Sequence, residues 1–405
     1  MTHPSPRRHR ELVLMPSLGA YPGPNGELFL TRKYLEGANE YAKSWPGPVT
    51  SLVALRTTPT SDMDHVDARE GEWATSLELR PTRTEALGER LKHSALVFPF
   101  LSPSEAKTYA LCKAAGVPIV FGSEYSPRTE MQIIDSECRN PLRRLRRKIW
   151  TIQAERTRLR MLKEAAGLQC SGTPCFDHYR NHNPNTLLFF DNRVRQSDVI
   201  SPEVLEAKLA QRTSNVPLRL VFGGRLIAMK GVLDLPLVAA ELRRLNVAFK
   251  LDIYGTGTLQ TALEQLIGRL DLRDHVFMKG VMDFREGWIP MLKRDADLFV
   301  CCHPQGDPSS TYPEVMSCGV PIAGYANEAF EGIVRESGCG WVTPMKQPRL
   351  LAAKIAELDA NREAIAAAAR RGREFALVNA FEPTFERRTN HLVAISRLPG
   401  DIRQA

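Results

Sequence analysis

Short apolar runs alternate with longer stretches of helical period along most of the chain. Residues 12–15, 49–55, 95–98 and 118–121 are largely apolar segments of strand length, and 107–115 carries a helical pattern. The second half repeats the alternation more clearly. Strands are predicted at 218–222, 250–254, 275–278, 297–302 and 320–324, with helical period at 233–245 and 259–270 between them. Largely apolar strands alternating with helices of this length point to βαβ units and parallel sheets covered on both faces. There are two such series, joined across residues 196–216. After Pro344 the chain becomes helical and Ala-rich over 350–371 and closes on an amphipathic segment at 381–395.

One stretch departs from this pattern in charge. Between Arg139 and Lys163 there are ten basic residues and a single acidic one, Glu155. Leu142, Leu145, Ile149 and Ile152 recur there at spacings of three and four, which places them on one face of a helix. That face either packs into the core, leaving the cations in solvent, or docks with them on an anionic membrane surface.

Length and composition add bounds. A chain of 405 residues favours two or three domains, and a net charge of +8 suits anionic partners in general. The amino terminus is polar and basic with no apolar core behind it, and the most apolar run, 94–101, is too short to span a bilayer. The expectation is a cytoplasmic protein. Eight cysteines without a C-x-x-C pair read as buried free thiols, with no metal site.

Three segments carry candidate chemistry. In the first, 222–231, Gly223 and Gly224 let a strand turn sharply, and Arg225 and Lys230 follow. Two cations at the carboxyl edge of a parallel sheet would hold a diphosphate, by bidentate and point-like contacts respectively. Equally, they are solvated cations at a helix start. In the second, 251–257, a strand runs into a turn with Gly255 and Gly257, where backbone N–H groups can approach a ligand or simply form a junction. In the third, 303–322, a polar loop leads into a short helix. Ser309, Ser310 and Thr311 sit at its expected start, and Glu314 lies within its first turn. Hydroxyls and free N–H groups there suit phosphate, and Glu314 could accept two bonds from a ribose diol or serve the helix dipole.

In this order the three segments resemble the C-terminal domain of the family 4 retaining glycosyltransferases, whose GT-B fold pairs two facing Rossmann-like domains. The resemblance covers about 130 residues. It implies an α/β chain with an acceptor-side domain at 1–205, a nucleotide-sugar domain at 206–375 and a final helix, 376–405, crossing back to the first domain. It implies that Gly223, Gly224, Arg225, Lys230, Gly255, Gly257, Ser309, Ser310 and Thr311 line the donor site and that Glu314 holds the ribose. A departure falls at Gly306, where the family has the first of two acids. Asp307, one residue on, is the nearest carboxylate. In the first half, Gly23, Asn25 and Gly26 match an acceptor-side loop near the diphosphate. Glu124 stands where the family usually has a His near the reacting sugar; it either stabilises charge or orients the acceptor, or anchors a loop. The implied catalytic set is Glu124, Asp307, Arg225 and Lys230, working without metal or further cofactor.

The activity implied is transfer of a sugar from a nucleoside-diphosphate sugar, with retention, to a glycan or lipid-linked acceptor, in polysaccharide or glycolipid biosynthesis. Many members of the family act at the inner face of a membrane, which the cations from Arg139 to Lys163 would suit. An inverting transferase or a nucleotide-sugar epimerase fits the residues around Glu314 less well. A catalytically inactive nucleotide-sugar-binding or assembly protein stays open because of Gly306 and Glu124. Nucleic-acid binding through the basic stretch lacks interleaved aromatics beyond Trp150, so no nucleic-acid partner is expected.

Overall fold

The computed structural model describes residues 10–57, 64–138, 140–212 and 216–396. The basic residues before Arg10, Arg139, and Ser214 and Asn215 of the joining segment lie outside these.

The first half is built on β1 (Leu12–Met15), β2 (Tyr21–Pro22), β3 (Leu28–Thr31), β4 (Val49–Val53), β5 (His65–Asp67), β6 (Ser76–Leu79), β7 (Leu96–Pro99), β8 (Val120–Ser123), β9 (Gly167–Ser171) and β10 (Thr186–Phe189). Parallel pairing gives the orders β6-β4-β1-β7 and β10-β9-β8. Parallel bridges from Val97 to Ile119 and from Phe100 to Gly122 join the two into one layer. Successive strand residues feed opposite faces: Val13 and Met15 enter one core cluster, Leu12 and Leu14 another. Both faces are covered, so these strands read as largely apolar runs. Strands β2, β3 and β5 form a separate small antiparallel sheet.

The second half contains β11 (Leu218–Gly223), β12 (Phe249–Tyr254), β13 (Val276–Gly280), β14 (Leu298–Cys301), β15 (Ile322–Tyr325) and β16 (Gly340–Thr343). They form one parallel sheet in the order β13-β12-β11-β14-β15-β16. The order reverses direction between β11 and β14, and such a switch point opens a crevice at the carboxyl edge of the sheet.

The helices on either side of the second domain show how the chain passes between the halves. The helix Pro202–Ala210 runs across the expected boundary between 205 and 206 and packs on the second domain. Leu205 joins Ile200 and Ala369 in a small core cluster, and Lys208 donates to the carbonyl of Leu292 at 3.0 Å. The helix Phe381–Ser396 lies on the first domain. Its Phe385 and Leu392 share a core cluster with Leu12, Tyr41 and Leu96, and Phe385 meets the Tyr41 ring edge-on at 5.2 Å.

The basic stretch forms the helix Pro141–Glu164. Its buried face is Thr151, Ala154, Arg158, Met161 and Leu162. The apolar set at Leu142, Leu145, Ile149 and Ile152 is exposed, Leu142 to 78%, as is Trp150. Of the two readings of this stripe, the exposure excludes the core-facing one. Arg158 is not a surface cation either: it is buried against Glu130 at 2.6 Å and Glu155 at 3.5 Å.

Removing the Phe385 ring should cost about 3 kcal/mol or more, the usual price of a large core truncation. Calorimetry of Phe385→Ala is expected to show an earlier transition for the first domain, with the second domain unchanged.

Candidate functional site

The carboxyl edges of the two parallel sheets face one another across a cleft of about 1000 Å³. From the first domain its walls include Pro16, Ser17 and Leu18 after β1, Lys33, Glu124 after β8, and Asp191 after β10. The second contributes Phe284, Arg285 and Glu286. Arg285 reaches across to Glu36 at 3.1 Å.

On the second domain's side, the two glycine turns pack directly on one another. A Cβ on Gly255 would lie 2.0 Å from the Gly224 carbonyl oxygen, and one on Gly257 would lie 2.5 Å from that of Leu226. Gly223 is bare because the Trp288 ring fills the space beside it, 2.2 Å from a would-be Cβ. The N–H groups of Gly224 and Gly255 are already used, donating to Tyr254 at 3.1 Å and Gly280 at 2.7 Å. These glycines therefore shape the floor by close packing. The expectation that such N–H groups are aimed at a ligand does not hold for these two.

Arg225 stands exposed beyond this floor. Lys230 ends the short turn Ala228–Lys230 and is almost fully buried. Gly231 after it has φ +61 and comes so close to β14 that a Cβ would sit 1.9 Å from the Cys302 oxygen. That packing carries Lys230 under the 303–309 loop, where its ammonium meets Asp307 at 2.9 Å and the Ser309 hydroxyl at 3.5 Å. The helix Thr311–Ser317 follows, with Ser310 at its cap position. Glu314 is only 2% exposed, and its carboxylate accepts from Arg193 Nε at 2.7 Å.

The loop at Gly306 is held between the domains. Gly306 N–H donates to Gln132 at 2.9 Å, and Thr129 donates to the Gly306 carbonyl at 3.3 Å. A Cβ at Gly306 would lie 2.8 Å from Glu328 Oε2, and Glu328 is itself paired with Arg128 at 2.6 Å. An acidic side chain at this position would push into a carboxylate already in place, a physical reason for glycine where the resembling family has an acid.

Glu124 lies within the electrostatic reach of Asp307, Lys33, Asp191 and Lys230. Desolvation inside the cleft raises its carboxyl to about 7, with Lys33 opposing the rise. Tyr125 beside it is pushed up too, by desolvation and then by Glu124 and Asp307, and its hydroxyl bonds Asp307. Lys33 and Asp191 form an ion pair; desolvation pushes the Asp191 carboxyl up, but the charge and hydrogen bond of Lys33 together with the charges of Arg388 and Arg193 hold it below the usual carboxylate range.

The structure thus brings Lys230, Asp307 and Ser309 into one group with Glu124 in electrostatic reach, and pairs Glu314 with Arg193; of these, Glu124 and Arg193 line the cleft. It does not bring Gly23, Asn25 and Gly26 there. They form the tip between β2 and β3, with Gly23 N–H donating to the Glu27 carbonyl at 3.0 Å and Asn25 bonded to the Glu27 side chain. The cleft wall on that side is made by Pro16 to Leu18 instead. Two participants had no signal in sequence: Lys33, placed by its helix, and Arg193, whose partner Glu314 is 121 residues away. Among the described residues no group of three or more His, Cys, Asp or Glu side chains is arranged to hold a metal ion. All eight cysteines are free and buried.

Two facing parallel domains with a crossing-back helix and the cleft between them define the GT-B class of folds. The solved structure of HepE from Anabaena in complex with UDP superimposes with a TM-score of 0.67 over 95% of this chain and 99% of that one, at 13% identity. WaaG, a glycosyltransferase involved in lipopolysaccharide biosynthesis, gives 0.57 over 94% and 98%, at 14% identity. At such identities the likeness establishes the fold. Residues 208–375, within the second domain, match the family model described as glycosyl transferases group 1. The putative colanic acid biosynthesis glycosyltransferase WcaL of Salmonella typhimurium is 26% identical over 152 residues, which is 36% of this chain and 37% of WcaL. The chain therefore matches little more than a third of the length of that curated relative.

Proposed function

We propose that the chain is a glycosyltransferase that moves a sugar from a nucleoside-diphosphate sugar to an acceptor hydroxyl. The observation that supports this is that Arg225 and Lys230, which follow β11, and the buried Glu314, which follows β14, both leave strands that flank the switch point, with Lys230 paired to Asp307 and Glu314 to Arg193. Arg225 and Lys230 flank the diphosphate, with Ser309, Ser310 and Thr311 adding polar groups, and Glu314 accepts from the ribose diol. The bond between the anomeric carbon and the phosphate oxygen breaks, and the charge growing on the leaving diphosphate meets two fixed cations. The acceptor oxygen bonds to the anomeric carbon, and its proton passes to the leaving phosphate. Attack on the face the diphosphate leaves gives retention, the outcome in the resembling family. No metal is required if the two cations carry the neutralisation.

Asp307 and Glu124 lie where the transferred sugar would sit, and Lys230 bridges diphosphate and sugar through Asp307. The names of WcaL and WaaG support a product in polysaccharide or lipopolysaccharide assembly, with a glycan or lipid-linked acceptor. The alternative, an inactive nucleotide-sugar-binding protein, predicts that a donor binds but is never hydrolysed or transferred.

A membrane surface is the second part of the reading. Among the described residues no helix is long and apolar enough to cross a membrane. The helix Pro141–Glu164 nevertheless exposes Leu142, Leu145, Ile149, Trp150 and Ile152 among Arg143, Arg146 and Arg147. Apolar side chains interleaved with cations match an anionic lipid surface, where each cation contributes about 1 kcal/mol. The helix packs against its neighbour Pro127–Glu137, which clasps the cleft loop at Gly306, so docking would bring the cleft close to the bilayer. Such docking would place the chain at the inner face of the membrane.

Lys230→Ala and Glu314→Ala are each expected to cut transfer at least about 100-fold in a radiolabelled-donor assay, the scale of removing one preorganised charge contact. Near-normal turnover in both would contradict the site. If the ionised Glu124 acts on the reacting sugar, kcat/KM should climb as pH rises through about 7, and Glu124→Gln should be slow with a flat profile across that range. Sedimentation with vesicles should show binding to anionic but not zwitterionic lipid, lost in the Leu145→Ser, Ile149→Ser, Trp150→Ser triple variant. Equal binding by that variant would refute docking through this face.

A further inference from the structure

The connection between the domains delivers one charged side chain to the buried carboxylate of the proposed donor site. Arg193 follows β10, and the segment around it is pinned. Asn192 donates to the Ser317 hydroxyl at 3.2 Å and to the Asn379 carbonyl at 3.1 Å, and the Val194 N–H donates to Asn192 at 3.0 Å. The guanidinium carbon then lies over the Phe284 ring, 4.0 Å from its centroid. Its Nε donates to Glu314 Oε1 at 2.7 Å, and its Nη2 lies 3.4 Å from Oε2. Glu314 leads the causes that hold the guanidinium charge firmly; Asp191 and Glu36 add to it, and Lys33 is the neighbouring cation.

A carboxylate offers about four acceptor positions on its two oxygens. Arg193 occupies one on each, which leaves two, the number of hydroxyls in a ribose diol. An acid 2% exposed would also be costly to keep charged without a partner. Arg193 is itself half-exposed along the cleft, so removing it opens space without emptying a core.

We infer that Arg193 is a positioning residue for the donor: it fixes the Glu314 carboxylate so that the two remaining acceptor positions face the ribose hydroxyls. This rests on the donor site proposed above. Arg193 touches no reacting atom, so its loss acts on recognition of the ribose and leaves the chemical step alone.

The test is calorimetric binding of UDP, GDP and ADP and of their 2′-deoxy counterparts to the full chain, to Arg193→Ala and to Arg193→Lys. The wild-type chain should bind one of the three ribonucleotides and prefer it to the deoxy form by about tenfold or more, as expected for a bond to a charged group. In Arg193→Ala the ribonucleotide should weaken about tenfold while the deoxynucleotide changes less than about threefold, because the two perturbations act on one contact. In turnover, the donor KM should rise with kcat nearly unchanged. Arg193→Lys, which keeps the charge without the fork, should keep an intermediate preference, and it carries the test if the alanine variant does not fold. Equal weakening of both nucleotide forms, or an undiminished preference in either variant, overturns the role of Arg193. If no ribonucleotide binds to the wild-type chain, the donor-site reading itself fails, and the role of Arg193 falls with it.

Discussion

Strands that run parallel all end at the same edge of their sheet, and the chemistry of this chain follows from that constraint. Residues that follow the carboxyl ends of β1, β8 and β10 on one side and of β13 on the other line a single cleft. Residues as distant in sequence as Lys33, Glu124, Arg193, Lys230 and Glu314 are brought together without any one segment encoding the site. The crossing-back helix Phe381–Ser396 and the connection carrying Arg193 keep the two edges opposed.

Within the cleft, charges are matched before any ligand arrives. Lys230 holds Asp307, Arg193 holds Glu314 and Lys33 holds Asp191. Each pair lies at a domain junction or loop end, where desolvation makes an unpartnered charge expensive. Arg225 differs, being exposed above the glycine floor. A dianionic diphosphate would meet one free cation and one shared cation. Exchange of Asp307 for phosphate on Lys230 gives a physical route by which donor binding alters the sugar pocket.

The central strands were legible because they are covered on both faces: β1, β4 and β14 are wholly buried, β1 and β14 read as apolar runs, and β4 interrupts its run only with Thr50 and Ser51. The edge strand β6 is largely exposed and leaves no such trace. Strand β9 is fully buried yet carries Gln169, which is satisfied by Arg388 at 2.9 Å, a partner 219 residues away. The glycines at 223, 224, 255 and 257 stood out in the sequence as turns after strands, but the contacts that require them did not. They serve turn-on-turn and turn-on-Trp288 contact, which only the fold brings about. The stripe of Leu142, Leu145, Ile149 and Ile152 had the correct helical period. Periodicity identifies a face but does not say what covers it, and in this chain nothing in the core does.

Gly306 sits in the same packing. Glu328 and its partners Arg128 and Gln132 crowd the position where the resembling family has an acid, and the carboxylate this loop sets beside Lys230 is that of Asp307. The account therefore depends most on where a donor lies relative to Lys230 and Glu314. A crystal structure of the full chain with whichever of UDP, GDP or ADP binds it measures this directly. The expected result is a diphosphate between Arg225 and Lys230 with the ribose hydroxyls on Glu314, Arg193 still bonded to that carboxylate. A nucleotide bound away from the β11/β14 crevice, or no nucleotide bound by the folded chain, would contradict it.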